Sequence, residues 1–113
     1  MSGMDLSTQD PRRGVYAISV AAEMVSMEIQ NLRVYERRGL VDPDRSPGGS
    51  RRYSPEDIAR LHRIRDLLAE GLNLAGIGRV LSLEAEVARL RRENERLSQQ
   101  QARGGGRGPR RAG

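Results

Sequence analysis

The chain has 113 residues, with twenty basic and fifteen acidic side chains and a net charge of +5. That length leaves room for one domain and an arm, with a core small enough that oligomerisation is a natural source of extra stability. Cysteine is absent, which excludes disulfides, thiolate metal sites and cysteine nucleophiles. All twenty basic residues are Arg, the better residue for bidentate contacts to phosphate and guanine. A GC-rich genome would produce the same bias, and a basic balance alone does not separate DNA, RNA and anionic lipid. His62 is the sole His, so no nucleophile–base pair or metal cluster of recognisable spacing exists, and neither an enzyme nor a bound cofactor is expected. No apolar run reaches the length of a membrane span and no signal-peptide pattern opens the chain, so a cytoplasmic protein is expected. Tyr16, Tyr35 and Tyr53 are the only aromatic residues, too few for a platform that stacks single-stranded bases.

Residues 1–14 are polar and end in Pro11-Arg12-Arg13-Gly14, the composition of a flexible leader. Val15 to Ile18 predicts a short extended lead-in. Ser19 then offers an N-cap to a helix over Val20 to Val25, whose Ala21 and Ala22 allow close packing. A helix this short is marginal alone and must dock.

Ser26 to Gly39, SMEIQNLRVYERRG, predicts a second helix, with Ser26 as N-cap and Gly39 as the left-handed stop. Ile29, Leu32, Tyr35 and Glu36 share one face, which can pack on a core. Gln30, Arg33, Val34 and Arg37 share the other, with Asn31 at its edge. Arg suits guanine, Gln or Asn suits adenine, and a branched apolar group suits the thymine methyl. A solvated helix face would carry similar residues. The context favours recognition, because two short helices joined by a tight turn form a helix-turn-helix. In that arrangement the second helix enters the major groove, with Gln30, Asn31 and Arg33 at the bases and Arg37 nearer the backbone.

Leu40 to Tyr53 predicts a hairpin that turns at Pro47, Gly48 and Gly49 and returns through Arg51, Arg52 and Tyr53. Beside a helix-turn-helix it is a wing, whose arginines reach flanking phosphates or the minor groove. The alternative is a surface loop whose charges keep an edge strand soluble. Ser54, Pro55 and Asp57 then start the clearest helix of the chain, near to a capping box. Ile58, Leu61, Ile64, Leu67 and Leu68 form its apolar stripe, and Glu70-Gly71 ends it. Asn73 caps a short helix over Leu74 to Leu81.

From Val80 the apolar period changes. Val80, Leu83, Val87, Leu90, Asn94 and Leu97 recur at alternating spacings of three and four, an a/d seam suited to joining two copies of the chain. Asn94 falls at an a position, where a buried amide can fix register. The flanking charges suit a parallel pair through Glu86 and Arg91, or an antiparallel one through Glu84 and Arg91. A helix folded back on its own domain is the third arrangement. Ser98 to Gly113 lacks apolar residues beyond Ala and any acid, and composition assigns it to a disordered tail. The organisation predicted is therefore a leader at 1–14, a winged helix-turn-helix at 15–82, a dimerisation helix at 83–98 and a tail at 99–113.

The run from Val15 to about Leu83 resembles the DNA-binding domain of the MerR family of bacterial transcription regulators. The family core is matched by Leu32-Arg33-Val34-Tyr35-Glu36-Arg37-Arg38-Gly39-Leu40, and its wing signature by Gly49-Ser50-Arg51-Arg52-Tyr53-Ser54 with the following Pro55-Glu56-Asp57-Ile58. Within the family the chain is most similar to the heat-shock repressor branch, HspR, through Tyr16-Ala17-Ile18-Ser19-Val20-Ala21-Ala22-Glu23, Gly48 to Ser54, and Gly71-Leu72-Asn73-Leu74-Ala75-Gly76-Ile77. The resemblance implies a mainly α fold and a dimer joined by an antiparallel coiled coil. It also implies binding to an inverted repeat in double-stranded promoter DNA. Gln30, Asn31 and Arg33 would face bases, Tyr35 would sit between core and phosphate, Arg51 and Arg52 would be wing contacts, and Tyr53 would anchor the wing. HspR-like proteins repress chaperone operons and can use a DnaK-type chaperone as co-repressor. Asn31 stands where the family has Thr or Ser, and Val34 where it has a more polar or aromatic residue, so a different operator is expected. Other readings are a MerR-type regulator of non-stress genes, an architectural, excisionase-like DNA-binding protein, and a coiled-coil adaptor with an incidental basic face.

Overall fold

The computed structural model describes residues 10–104. The elements in order are β1 (Tyr16–Ala17), α1 (Ile18–Val25), α2 (Ile29–Arg37), β2 (Asp44–Arg45), β3 (Arg51–Tyr53), α3 (Pro55–Ala69) and α4 (Leu74–Gly104). The chain divides into a unit that ends at Ile77 and a second unit that begins at Gly78. The first is the winged helix-turn-helix, and the predicted fold class holds.

A three-stranded antiparallel sheet, ordered β1-β3-β2, frames the first unit. Tyr16 pairs with Tyr53 and Ala17 with Arg52, while Asp44 pairs with Arg52 and Arg45 with Arg51. Residues 10–14, assigned to the leader by composition, are tied into this sheet and the start of α3. The Val15 N–H donates to the Tyr53 carbonyl at 3.0 Å, and the Glu56 N–H donates to the Pro11 carbonyl at 2.9 Å. The Gly14 N–H donates to Asp44 Oδ2 at 2.9 Å. Gly14 lies so close to β3 that a Cβ there would stand 2.4 Å from the Arg52 carbonyl oxygen. Residues 1–9 lie outside the described residues.

Two predicted caps are corrected. Helix α1 starts at Ile18, one residue before Ser19, and its N-cap Ala17 carries no side-chain cap bond. The chain steps straight from strand β1 into the helix, so β1–β3 pairing, not the Ser19 hydroxyl, sets the start. Ser26 ends α1 instead of starting α2. It adopts the left-handed conformation (φ 55°, ψ 48°), its N–H donates to the Glu23 carbonyl at 3.2 Å, and the Met27 N–H reaches the Ala22 carbonyl at 3.0 Å. This closure satisfies the last carbonyls of α1. Helix α2 then begins at Ile29 with Glu28 as N-cap, two residues later than the Ser26 reading.

The other termini follow the sequence. Gly39 has φ 75°, and the Gly39 and Leu40 N–H groups close the end of α2 on the Glu36 and Tyr35 carbonyls. A complete capping box opens α3: Ser54 Oγ accepts from the Asp57 N–H at 2.9 Å, and Asp57 Oδ2 accepts from the Ser54 N–H at 3.0 Å. Such a cap contributes about 1 kcal/mol. Asn73 Oδ1 accepts the Gly76 N–H at 2.8 Å and opens α4. The core of the first unit lies where α1 packs on α2 and α3. Val25, Leu32, Leu61, Ile64 and Ile77 are fully buried there, so Leu61→Ala would cost about 2–5 kcal/mol.

Helix α4 is continuous from Leu74 to Gly104. The predicted break near Leu81 does not occur, and the helix runs six residues into the segment 99–113 that composition assigns to a tail. Ser98-Gln99-Gln100-Gln101-Ala102-Arg103 contains no helix breaker, and Gln, Ala and Arg propagate an existing helix well. Residues 105–113 lie outside the described residues. In the second unit Leu83, Val87, Leu90 and Leu97 are exposed. Arg89 pairs with Glu86 at 2.7 Å and Arg96 with Glu93 at 2.6 Å along the helix. No described helix is long and apolar enough to cross a membrane.

Candidate nucleic-acid interface

Helix α2 carries its two faces as the periodicity predicts. Leu32 is fully buried and Tyr35 is 4 % exposed. Gln30, Asn31, Arg33 and Arg37 are exposed, and Val34 is half-buried between them. The outward face therefore offers two amides, two guanidinium groups and a branched apolar side chain on one short helix. Burial of Tyr35 raises its phenol above the ordinary tyrosine range, so the hydroxyl stays neutral.

Two arginines of α3 hold this helix pair, and the sequence reading passes over both. Arg65 Nη1 donates to the Val25 carbonyl at 3.1 Å, at the C-terminal end of α1. Arg60 Nε donates to the Leu40 carbonyl, just past the end of α2. The first places a cation against the last carbonyl of α1, at the negative end of the helix, where charge and dipole attract; the second ties α3 to the loop that leaves α2. The i, i+5 spacing of Arg60 and Arg65 gives no local sign of this role, because their partners come from segments far away in sequence.

The wing is the β2–β3 hairpin. Its turn closes through the Ser46 N–H on the Ser50 carbonyl at 2.7 Å and the Gly49 N–H on the Ser46 carbonyl at 2.8 Å. Gly49 has φ 89°, a conformation side chains with a Cβ rarely adopt. Arg51 and Arg52 lie on β3, both half-buried. Arg52 Nη1 donates to the Arg51 carbonyl at 3.3 Å. Tyr53 is fully buried, and its hydroxyl finds no hydrogen-bond partner among the described residues. Tyr53 therefore anchors the wing from inside and presents no surface to a ligand.

Glu36 joins the wing to α2. Helical spacing puts Glu36 on the core side, and the structure gives it a specific task there. Its carboxylate, 17 % exposed, accepts from Arg45 Nη2 at 2.7 Å and from Arg51 Nε. Arg45 Nη1 also donates to the Gly49 carbonyl at 3.3 Å, which ties the same guanidinium to the turn. Burial pushes the Glu36 carboxyl upward, but the hydrogen bonds and charges of Arg51 and Arg45 outweigh it and hold the group below the ordinary range. The structure thus ties two wing arginines, Arg45 and Arg51, to α2 through Glu36. The seam residues Val80, Leu83, Val87, Leu90, Asn94 and Leu97 belong to the second unit. His62 is exposed, and among the described residues no group of three or more His, Asp or Glu is placed to hold a metal ion.

Comparison with known proteins agrees with this architecture. A Streptomyces coelicolor protein described as "Putative heat shock protein HspR" is 52% identical over 77 residues, covering 67% of this chain and 51% of that protein. This chain thus matches about half the length of that relative. The GlnR transcriptional regulator of Bacillus cereus is 32% identical over 92 residues, covering 79% of this chain and 71% of the relative. A transcriptional regulator of the MerR family from Bacillus cereus superposes with a TM-score of 0.57 at 26% identity, over 78% of this chain and 70% of that one. HiNmlR, a MerR family regulator lacking the sensor domain and solved bound to promoter DNA, shares the fold with a TM-score of 0.57 at 24% identity, over 78% and 74% of the two chains. Residues 16–84 match the family described as MerR HTH family regulatory protein. With its helix pair, its wing and more than half its length matched, the chain belongs to the MerR family of helix-turn-helix regulatory proteins.

Proposed function

We propose that this chain is a sequence-specific transcriptional repressor of heat-shock and chaperone genes, which binds an inverted repeat in promoter DNA as a dimer. The observation that carries the DNA-binding reading is the exposed row Gln30, Asn31, Arg33 and Arg37 on a helix whose opposite face is buried. A short helix with this row can enter a major groove, where Gln30 and Asn31 offer amides to adenine and Arg33 a fork to guanine. Val34 lies beside the thymine methyl in that pose. Arg37 reaches the backbone, Tyr35 packs behind it, and Arg51 and Arg52 meet flanking phosphates or the minor groove from a wing anchored by Tyr53.

Dimerisation follows from the exposed Leu83, Val87, Leu90 and Leu97 of α4, which a second copy would cover, with Val80 and Asn94 completing the seam. Two copies then present two recognition helices with two-fold symmetry, and the operator takes the matching symmetry. The heat-shock assignment is supported by the 52% identity to the Streptomyces coelicolor relative. A DnaK-type chaperone as co-repressor belongs to the same proposal and rests on the sequence resemblance alone.

Chromatin immunoprecipitation from unstressed and heat-shocked cells of the native host tests the proposal. Enrichment over chaperone promoters that falls on heat shock is expected, with the chaperone co-purifying before the shock. Enrichment at other promoters only would discard the heat-shock role and keep a MerR-type regulator of non-stress genes. Diffuse occupancy without preferred sites would favour the architectural reading.

A further inference from the structure

Arg45 and Arg51 sit on the wing but do not stand as two free cations. One carboxylate, Glu36 on the recognition helix, takes both. Glu36 is 17 % exposed and Arg51 26 % exposed, and Arg45, 50 % exposed, is tied at its other nitrogen to the turn. Paired in this way, the three groups carry a net charge of +1 where the two arginines alone would carry +2. A polyanion approaching at random meets guanidinium groups already satisfied by a carboxylate. It gains the full charge of either arginine only by displacing Glu36, because the carboxylate otherwise offsets part of it. At a site where α2 seats correctly, the flanking phosphates are held beside the wing at high effective concentration, and that exchange becomes favourable.

We propose that Glu36 is a positioning residue that reserves Arg45 and Arg51 for the operator, holding them out of phosphate contact on non-cognate DNA. The proposal rests on the DNA-binding reading above and adds a source of specificity that touches no base. Glu36 discriminates by withholding two phosphate contacts from the wrong sequences.

The test is fluorescence anisotropy with the full chain, on the duplex most enriched by immunoprecipitation and on a random duplex of equal length, across a series of KCl concentrations. Each phosphate neutralised contributes about −0.9 to the slope of log affinity against log salt. Glu36→Gln is expected to steepen the slope on the random duplex by about 0.9 to 1.8, one unit for each arginine released, and to shrink the ratio of operator to random affinity. Arg45→Gln and Arg51→Gln, made in the otherwise unchanged chain, are expected to leave the random-duplex slope where it was. Arg51→Gln flattens the operator slope by about 0.9. An unchanged random-duplex slope in Glu36→Gln would overturn the proposal. So would arginine variants that flatten both slopes equally. If Glu36→Gln does not fold, the two arginine variants decide the matter alone. Failure of the unmodified chain to bind either duplex would sink the DNA-binding reading itself, and the role of Glu36 with it.

Discussion

Gly14→Ala tests how the wing is seated. A Cβ at Gly14 would meet the Arg52 carbonyl oxygen at 2.4 Å, the carbonyl carbon at 2.9 Å and the Arg52 Cβ at 2.9 Å. Two of these atoms are strand backbone, so no side chain can swing aside, and the segment must lift off β3. Lifting it breaks the Val15–Tyr53 bond and the Gly14–Asp44 bond. At about 0.5–1.5 kcal/mol per hydrogen bond, with residual strain added, the loss is roughly 2–3 kcal/mol. For a domain of this size each kcal/mol is worth about 4–8 °C, so the melting temperature should fall by roughly 10–20 °C. Thermal denaturation followed by circular dichroism, with urea titration as a second probe, measures it. Strand β3 carries Arg51 and Arg52, so operator affinity should fall as well. A change of less than about 2 °C, small against the expected shift, would mean that residues 10–15 do not seat on the sheet and that the wing is supported some other way.

Four further outcomes are expected. Ser26→Gly should stabilise the domain by about 0.5–1 kcal/mol in urea titration, because the left-handed conformation at φ 55° costs Ser what it does not cost Gly; a loss would assign the Ser26 hydroxyl a stabilising contact in the turn. Arg33→Ala should cost about 1–3 kcal/mol on the operator and relax preference at one base pair in competition binding, whereas equal weakening on every sequence would make Arg33 a phosphate contact. The carboxyl of Glu36 is held below its ordinary 4.5, so its stabilisation is present above about pH 4.5 and is lost as pH falls through the folded value. The urea-midpoint difference between the unmodified chain and Glu36→Gln should therefore shrink below that pH, and a constant difference would contradict the clamp. Asp57, raised chiefly by burial, works in the opposite direction and cancels in that comparison. Leu90→Asp places a carboxylate in the proposed seam and should weaken dimerisation by about 100-fold or more in sedimentation, with the first unit's melting unchanged; a dimer that persists would place the interface elsewhere.

Local chemistry made much of the fold legible. The Ser54–Asp57 box, the Asn73 cap and the Gly39 stop each depend on neighbours a few residues away, and each stands where the sequence predicts it. The two faces of α2 follow from period alone. Ser26 did not yield to the same reasoning, because a hydroxyl residue between two helices suits the start of one or the end of the other. The choice is made by how α1 docks, and docking is not local. Glu36 shows the same limit at the interface. Its place on the inner face follows from helical spacing, but its partners arrive with the return of a hairpin nine and fifteen residues later. Arg60, Arg65 and Gly14 likewise act on segments that only the folded chain brings near. Gln99 to Gly104 misleads in the other direction, since polar composition says nothing against extending a helix already formed.

The central claim is that the exposed face of α2 reads sequence and that two copies do so together. Hydroxyl-radical footprinting of the purified chain on its most enriched genomic site, at a stated salt concentration, tests it most directly. The account predicts two protected half-sites related by two-fold symmetry, with protection at the bases facing α2 lost in Arg33→Ala. Even, salt-sensitive protection without symmetry, unchanged by that substitution, would contradict it.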